Sequence, residues 1–126
     1  MKIVRIITII ISVLAVAMVA FSGIMKLAGG AEGAKALEAV GVGQYRIMLG
    51  IAEIVFAALF AFPKTMRLGF ILLASYFAGA LATELSHAAP LNALIPLVLI
   101  WVSAFLRDKA LFLPGKKELV LTPQSN

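Results

Sequence analysis

The chain contains no cysteine and little charge, and both absences narrow what it can do. Without cysteine there are no disulfides, no thiol redox chemistry and no thiolate metal ligands. For the same reason the sequence gives no information about the redox state of the protein's compartment. Charged residues make up only 13% of the chain, against roughly 25% in an ordinary globular protein. Hydrophobic residues make up 63% of the 126 residues, more than one water-soluble domain could bury. The composition therefore excludes a soluble domain and predicts a membrane protein.

The net charge of +5 does not predict nucleic-acid binding. The basic residues lie at the ends of apolar runs and form no stripe with interleaved aromatic residues, which a nucleic-acid interface needs. We therefore expect no nucleic-acid partner. We expect no metal site either, because the single histidine and two glutamates of the apolar runs have no recognised ligand spacing.

Four apolar runs fill the chain. They cover Val4–Leu27, Ile47–Phe62, Leu68–Leu85 and Leu91–Leu106. At 1.5 Å per residue the first run is about 36 Å long, enough to cross a hydrocarbon core of about 30 Å. We predict an all-α, polytopic membrane protein, with a bundle of four transmembrane helices over residues 1–107 and a polar cytoplasmic tail over residues 108–126. Pro96 inside the fourth run should kink that helix and free the carbonyl of Asn92.

The first run has a second interpretation, as a signal peptide. Met1–Arg5 is basic, and Ala15-Val16-Ala17 resembles a cleavage site. However, the apolar run continues to Met25, well past the roughly 7–15 residues of a signal-peptide core. An uncleaved membrane helix is therefore the favoured interpretation.

The basic residues predict the orientation in the membrane. With four spans, both termini and the loop Pro63–Arg67 share one side, and this side has eight lysines and arginines against three on the other. The eight are Lys2, Arg5, Lys64, Arg67, Arg107, Lys109, Lys116 and Lys117. Because the more basic side is normally cytoplasmic, we expect a multi-pass protein of the bacterial inner membrane with both termini in the cytoplasm. The first outer loop, Ala28–Tyr45, should contain a short amphipathic helix over Glu32–Val40 at the membrane interface, either as a connector or as a lid over a site.

A few polar residues interrupt the apolar runs, all in the predicted outer half of the membrane. Glu53 lies about two turns into the second run, where a carboxylate needs a partner, and Lys26 is the candidate. The third run has a polar face with a glycine gap, which should line a cavity and not face lipid. This face comprises Tyr76, Gly79, Thr83, Glu84 and His87.

Each candidate also has a structural interpretation. Lys26 can extend to the headgroups, and Glu53 can be a salt bridge that locks two helices. Glu84 can be a solvated helix end, and His87 an ordinary residue of an interfacial loop. Small residues at four-residue spacing predict close helix packing, inside the bundle or in a homodimer; they are Ala74, Ala78 and Ala82. The serines Ser22 and Ser103 are expected to bond to carbonyls of their own helices.

Three stretches of the helices form a combination typical of one family. They are Phe21-Ser22-Gly23-Ile24-Met25-Lys26-Leu27, Leu49-Gly50-Ile51-Ala52-Glu53 and Tyr76-Phe77-Ala78-Gly79-Ala80-Leu81-Ala82-Thr83. Together they resemble the DoxX-like family of small four-helix bacterial membrane proteins, over roughly Ile6–Arg107. The resemblance would make Lys26, Glu53, Tyr76 and Gly79 site positions. Members often have a histidine directly after the Ala-Thr pair, where this chain has Glu84 and its histidine follows one turn later.

The resemblance implies little about activity, because most members of the family have none assigned. Its namesake relatives are linked to the membrane subunit of a thiosulfate:quinone oxidoreductase. More distant relatives are sterol-handling membrane proteins and a chaperone of receptor assembly.

Three functional hypotheses remain open. The first is a binding or accessory protein that holds a hydrophobic small molecule, a quinone or a lipid, anchored by Lys26, Glu53 and Tyr76. The second is an enzyme that does acid-base or quinone-linked redox chemistry, with Glu53 and His87 as the catalytic candidates. The third is a structural or chaperone-like partner with no ligand, in a homodimer or a membrane complex, whose polar cluster only fixes helix packing. The absence of cysteine, of a haem-ligand pair and of a nucleotide loop argues against autonomous redox work.

Overall fold

The computed structural model describes residues 2–113, apart from the side chain of Glu32. Within this range the chain is all-α and has no strand. Five helices follow one another: α1 (Lys2–Ala28), α2 (Ala31–Ala39), α3 (Arg46–Ala61), α4 (Met66–Ser86) and α5 (Leu94–Arg107). Short 3₁₀ turns precede α3 and α4 and follow α5. Residues 114–126, most of the predicted tail, lie outside the described residues.

Three of the predicted spans are long and apolar enough to cross a membrane. They are Lys2–Ala28, Gly43–Ala61 and Pro63–Ser86. The fourth, α5, is apolar but only 14 residues long, about 21 Å. On α1, large apolar side chains such as Ile3, Val13 and Phe21 are more than half exposed on the protein surface. A surface of this kind suits lipid, not water.

Four helices pack side by side, with α2 at one end. α1 contacts α3 and α5, and α4 contacts the same two helices on the other side, so α1 and α4 face each other diagonally. Their contact surfaces bury a continuous apolar core. Its fully buried members are Ala15, Val19, Phe60, Leu73, Ile100 and Ala104. Two polar side chains, Glu53 and Ser103, are also fully buried among these helices.

Two arginine side chains bind the backbone carbonyls at the C-terminal ends of neighbouring helices. Arg107, the last residue of α5, donates to the carbonyls of Phe60 and Ala61 at the end of α3, at 2.7 and 3.2 Å. Arg46, the first residue of α3, donates to the carbonyl of Lys26 near the end of α1. A helix leaves its last carbonyls without partners of its own. The two arginines therefore fix the ends of α3 and α1 on their neighbours.

The helix bundle has two distinct ends. At one of them, here called the terminal end, the start of α1 lies beside Pro63, Arg107 and Asp108. Asp108 accepts a hydrogen bond from Arg67 at 2.7 Å, and this bond holds the pKa of Asp108 below its usual value. At the opposite end, here called the α2 end, α2 lies over the last turns of α1 and α4 and the start of α5.

Pro96 lies in the first turn of α5 and not in a helix interior, contrary to the expectation of a kink. α5 begins at Leu94, three residues later than the predicted run, and Pro96 is its third residue. In the first turn a helix leaves its N–H groups unbonded, so a residue without an N–H costs no hydrogen bond there. Residues around this start, among them Ala93 and Pro96, line a cavity at the α2 end.

The first residues after α5 pack against the helices. Lys109–Leu111 forms a 3₁₀ turn, and the ring of Phe112 lies 5.5 Å from Phe70 and 5.3 Å from Trp101. The packed part of the chain thus continues beyond the predicted boundary at residue 107.

Candidate functional site

A buried carboxylate joins three helices at the α2 end. Glu53 on α3 is 0% exposed, and its Oε2 lies 2.5 Å from the ammonium of Lys26 on α1. The hydroxyl of Tyr76 on α4 donates to the same oxygen at 2.5 Å. The predicted pairing of Lys26 with Glu53 is therefore confirmed, and Tyr76 is a further donor to the same carboxylate. A buried charge requires such partners, because burial without them costs several kcal/mol.

Two glycines bring the helices close enough for this contact. A Cβ on Gly23 of α1 would lie 2.9 Å from the carbonyl oxygen of Gly50 on α3, and a Cβ on Gly50 would lie 2.9 Å from that of Gly23. Each glycine lies three residues before a member of the ion pair, so the close approach is one turn away from Lys26 and Glu53. Glycine at both positions lets the backbones touch, as small residues do at helix interfaces in membranes.

A cavity of about 780 Å³ lies directly beside this cluster, between α1, α4 and the start of α5, beneath α2. Its polar lining consists of Ser22, Lys26, Tyr76, Thr83, Glu84 and Asn92. The rest is mainly apolar and includes Met18, Phe21, Leu37, Val40, Phe77 and Pro96. A volume of this size lies within the range of roughly 300–1,000 Å³ that small-molecule sites have.

The position of Gly79 on α4 keeps part of this cavity open. Gly79 lines the cavity, and a Cβ at this position would meet no atom within 4 Å. Thr83, one turn later, also lines it, but its hydroxyl donates to the carbonyl of Gly79 on the same helix at 2.9 Å. A methyl group at position 79 would therefore extend into open space, without displacing a neighbour.

One protein-family model matches most of the chain. The model of the DoxX-like family matches residues 10–106, which include α2 to α4, most of α1, all of α5 but its last residue, and every residue that lines the cavity. The chain belongs to the DoxX-like family. With its three long apolar helices it is a small multi-pass membrane protein. No curated protein and no solved structure matches it.

The structure gathers most of the predicted site residues of this DoxX-like chain in one place. Lys26, Tyr76, Gly79, Thr83 and Glu84 all line the cavity. Glu53 does not line it but lies behind Lys26 and Tyr76 and holds both. Glu53 thus acts on the cavity through its two partners.

His87 is separated from this group. α4 ends at Ser86, and His87 caps it, exposed at the surface and outside the cavity lining. Its Nδ1 lies 2.9 Å from the carbonyl oxygen of Thr83 and 3.1 Å from the hydroxyl of Ser86. The expectation that it shares the polar face assumed that the helix continues to His87, one residue beyond the end of α4.

Glu84 has a structural contact that its spacing did not indicate. One of its carboxylate oxygens accepts a hydrogen bond from the backbone N–H of Ala93, at the start of α5, at 3.0 Å. A carboxylate in this position satisfies a free N–H and lies at the positive end of the helix dipole. Glu84 therefore lines the cavity and also holds the start of α5, which forms part of the cavity wall.

Two serines have partners that the sequence did not indicate. Ser22 accepts a hydrogen bond from the ammonium of Lys26 at 2.9 Å. Ser103 lies 2.7 Å from the hydroxyl of Ser12 on α1, so it bonds between helices and not to its own carbonyl. The spacing of Ser22 and Lys26, four residues apart, was a usable signal, because such residues are neighbours on a helix. The pairing of Ser12 with Ser103 depends on which helices are adjacent.

The predicted alanine repeat does not pack inside the molecule as a whole. Ala74 is half-buried, but Ala78 and Ala82 are exposed on α4. Close approach occurs instead at Gly23 and Gly50. A homodimer through the exposed alanines remains a prediction.

Proposed function

We propose that this DoxX-like protein binds a hydrophobic small molecule, a quinone or a lipid, in the cavity beneath α2. The observation that carries the proposal is the cavity of about 780 Å³ whose walls are mainly apolar and whose few polar side chains include Lys26 and Tyr76. Small-molecule sites commonly combine an apolar body with a few oriented polar groups. An amphiphile would place its polar head on Lys26 and Tyr76 and its apolar part against α1 and α4.

The protein would act as a carrier or as an accessory subunit of a membrane complex. The enzymatic alternative needs a second proton carrier near Glu53, and His87 lies outside the cavity lining. The structural alternative draws support from the ion pair itself, since Glu53 joins α1, α3 and α4 whether or not a ligand is present. The binding proposal is favoured over it because a helix lock requires no adjacent cavity.

We also propose that α5 is the fourth span, with both termini in the cytoplasm of a bacterial inner membrane. α5 is short, but both of its ends are tied to the ends of its neighbours. Glu84 near the end of α4 binds Ala93 at one end, and Arg107 binds Phe60 and Ala61 at the other. The eight basic residues predicted for the terminal side support the cytoplasmic orientation, with α2 at the outer interface.

The ligand proposal can be tested by removing bound lipids from the purified protein. A ligand that binds the folded state raises its thermal stability. Stripping with excess detergent should therefore lower the Tm, and a total lipid extract of the source membranes should restore it. In Gly79→Leu the added side chain fills the cavity, so its Tm should respond less to stripping and to the extract.

Ala78→Leu is the matched control, because it adds the same side chain to the exposed neighbouring position of α4, outside the cavity lining. It should respond to stripping like the wild type. The proposal fails if Gly79→Leu and the wild type lose and regain the same Tm, because lipids on the outer surface would then explain the effect.

A further inference from the structure

The cavity presents no unpaired positive charge to a ligand. Lys26 and Glu84 are the ionisable residues of its lining apart from Tyr76, among the described part of the chain. The charge of Lys26 is cancelled by Glu53 at 2.5 Å. Glu84 has no cation within salt-bridge distance among the described residues, and its contact is the neutral N–H of Ala93. Glu84 is therefore the uncompensated charge of the site, and it is negative.

We infer that the cavity discriminates against amphiphiles with an acidic head in favour of those with an uncharged one, and that Glu84 is the residue that excludes the acidic ones. The inference rests on the proposed function and specifies which ligands the cavity accepts. Fatty acids and other anionic amphiphiles are excluded, while alcohols, carbonyl compounds and similar neutral heads are accepted.

The free hydrogen-bonding capacity of the site suits a neutral head. An ammonium has three N–H donors, and among the described residues Lys26 uses two of them, for Glu53 and Ser22. One donor remains for a ligand oxygen. The hydroxyl proton of Tyr76 is engaged with Glu53, so its oxygen is left as an acceptor. A hydroxyl head could use both groups, and a carbonyl head could use the donor of Lys26.

An acidic head would gain little binding free energy at Lys26 and would be repelled by Glu84. Glu53 is fully buried and lies 2.5 Å from the ammonium, so its carboxylate already neutralises the charge of Lys26. The same acidic head would bring a second negative charge into the space that Glu84 lines. Charges separated from water repel more strongly than charges in bulk solvent, so the acidic amphiphile is disfavoured.

Glu84→Gln tests the inference, because it removes the charge and keeps an oxygen to accept from Ala93. The probes are hexadecanol and hexadecanesulfonate, which have the same chain and differ in a fixed head charge. Their binding to the purified full-length protein is titrated by native mass spectrometry. The wild type should bind the alcohol more tightly. Glu84→Gln should tighten sulfonate binding roughly tenfold relative to alcohol binding.

Glu38→Gln is the control, because Glu38 is an exposed carboxylate of α2 outside the cavity lining. It should leave both affinities unchanged. The inference is overturned if the sulfonate binds the wild type as tightly as the alcohol, or if Glu38→Gln and Glu84→Gln have equal effects. If neither probe binds the wild type or Glu84→Gln, the proposed function fails, and the inference fails with it.

Discussion

Glu53 is the fully buried carboxylate of the described chain, and its neighbours determine what it can do. Lys26 and Tyr76 both bind Oε2, while Oε1 is buried without a hydrogen-bond partner. An unpaired buried oxygen is costly, and the ion pair offsets part of this cost. The stability of the α2 end therefore depends on Lys26 and Glu53 together.

Glu53→Gln should lower the free energy of unfolding by about 3–5 kcal/mol, because it leaves Lys26 without a counter-charge in a largely buried position. The measurement is a denaturation titration of the purified protein in mixed micelles. The double variant Lys26→Met/Glu53→Met removes both charges and should recover most of the loss.

Glu38→Gln serves as the control for this series, since Glu38 is exposed on α2, and its effect should stay within about 0.5 kcal/mol. A Glu53→Gln protein as stable as the wild type would show that the ion pair does not hold the helices together.

At the scale of the helices, the contact between α1 and α3 positions the ion pair. The two backbones meet at Gly23 and Gly50, where an added Cβ would lie within 3 Å of atoms on the opposite helix. The contact depends on the absence of side chains and not on any attraction between them. It should therefore be more sensitive to small substitutions than the apolar core.

Gly23→Ala should destabilise the protein by about 1–3 kcal/mol, because the new methyl group forces α1 and α3 apart. Gly79→Ala is the matched control on a helix whose glycine faces open space, and it should be neutral or stabilising by up to about 1 kcal/mol. Thermal unfolding of both variants measures the difference. Equal stability of the two variants would contradict the close packing of α1 on α3.

The helices themselves could be predicted from hydropathy, since three of the four predicted runs differ from α1, α3 and α4 by at most two residues at either end. The pairing of Lys26 with Glu53 could also be predicted, because a buried glutamate needs a cation and Lys26 lies at a matching depth. α2 lies over Ala31–Ala39, close to the predicted Glu32–Val40.

The other contacts of the site depend on which helices are neighbours, and hydrophobic periodicity does not specify the neighbours of a helix. The bond between Ser12 and Ser103 and the contact of Glu84 with Ala93 require α5 to lie beside α1 and α4. His87 was placed on the polar face because the helix was expected to continue past Ser86. The late start of α5 at Leu94 was not predicted, and Ala93 and Pro96 at this start line the cavity.

For the whole molecule, the orientation can be tested with reporter fusions. A fusion at Asn126 should be active as a cytoplasmic reporter, and a fusion at Gly30, just before α2, as a periplasmic one. A fusion at Lys64 in the turn between α3 and α4 is the internal control and should match Asn126. A periplasmic signal at Asn126 would mean that α5 does not cross the membrane or that the protein has the opposite orientation.

The central claim is that the cavity beneath α2 holds a hydrophobic molecule. Native mass spectrometry of the protein, purified from its source membrane in mild detergent, tests this most directly. The wild type and Ala78→Leu should retain one additional mass of a neutral hydrophobic compound, and Gly79→Leu should lack it. If Gly79→Leu retains the same mass in the same proportion, the molecule lies elsewhere and the cavity is not its binding site. If no protein carries any bound mass, the claim is contradicted, and the polar cluster serves helix packing alone.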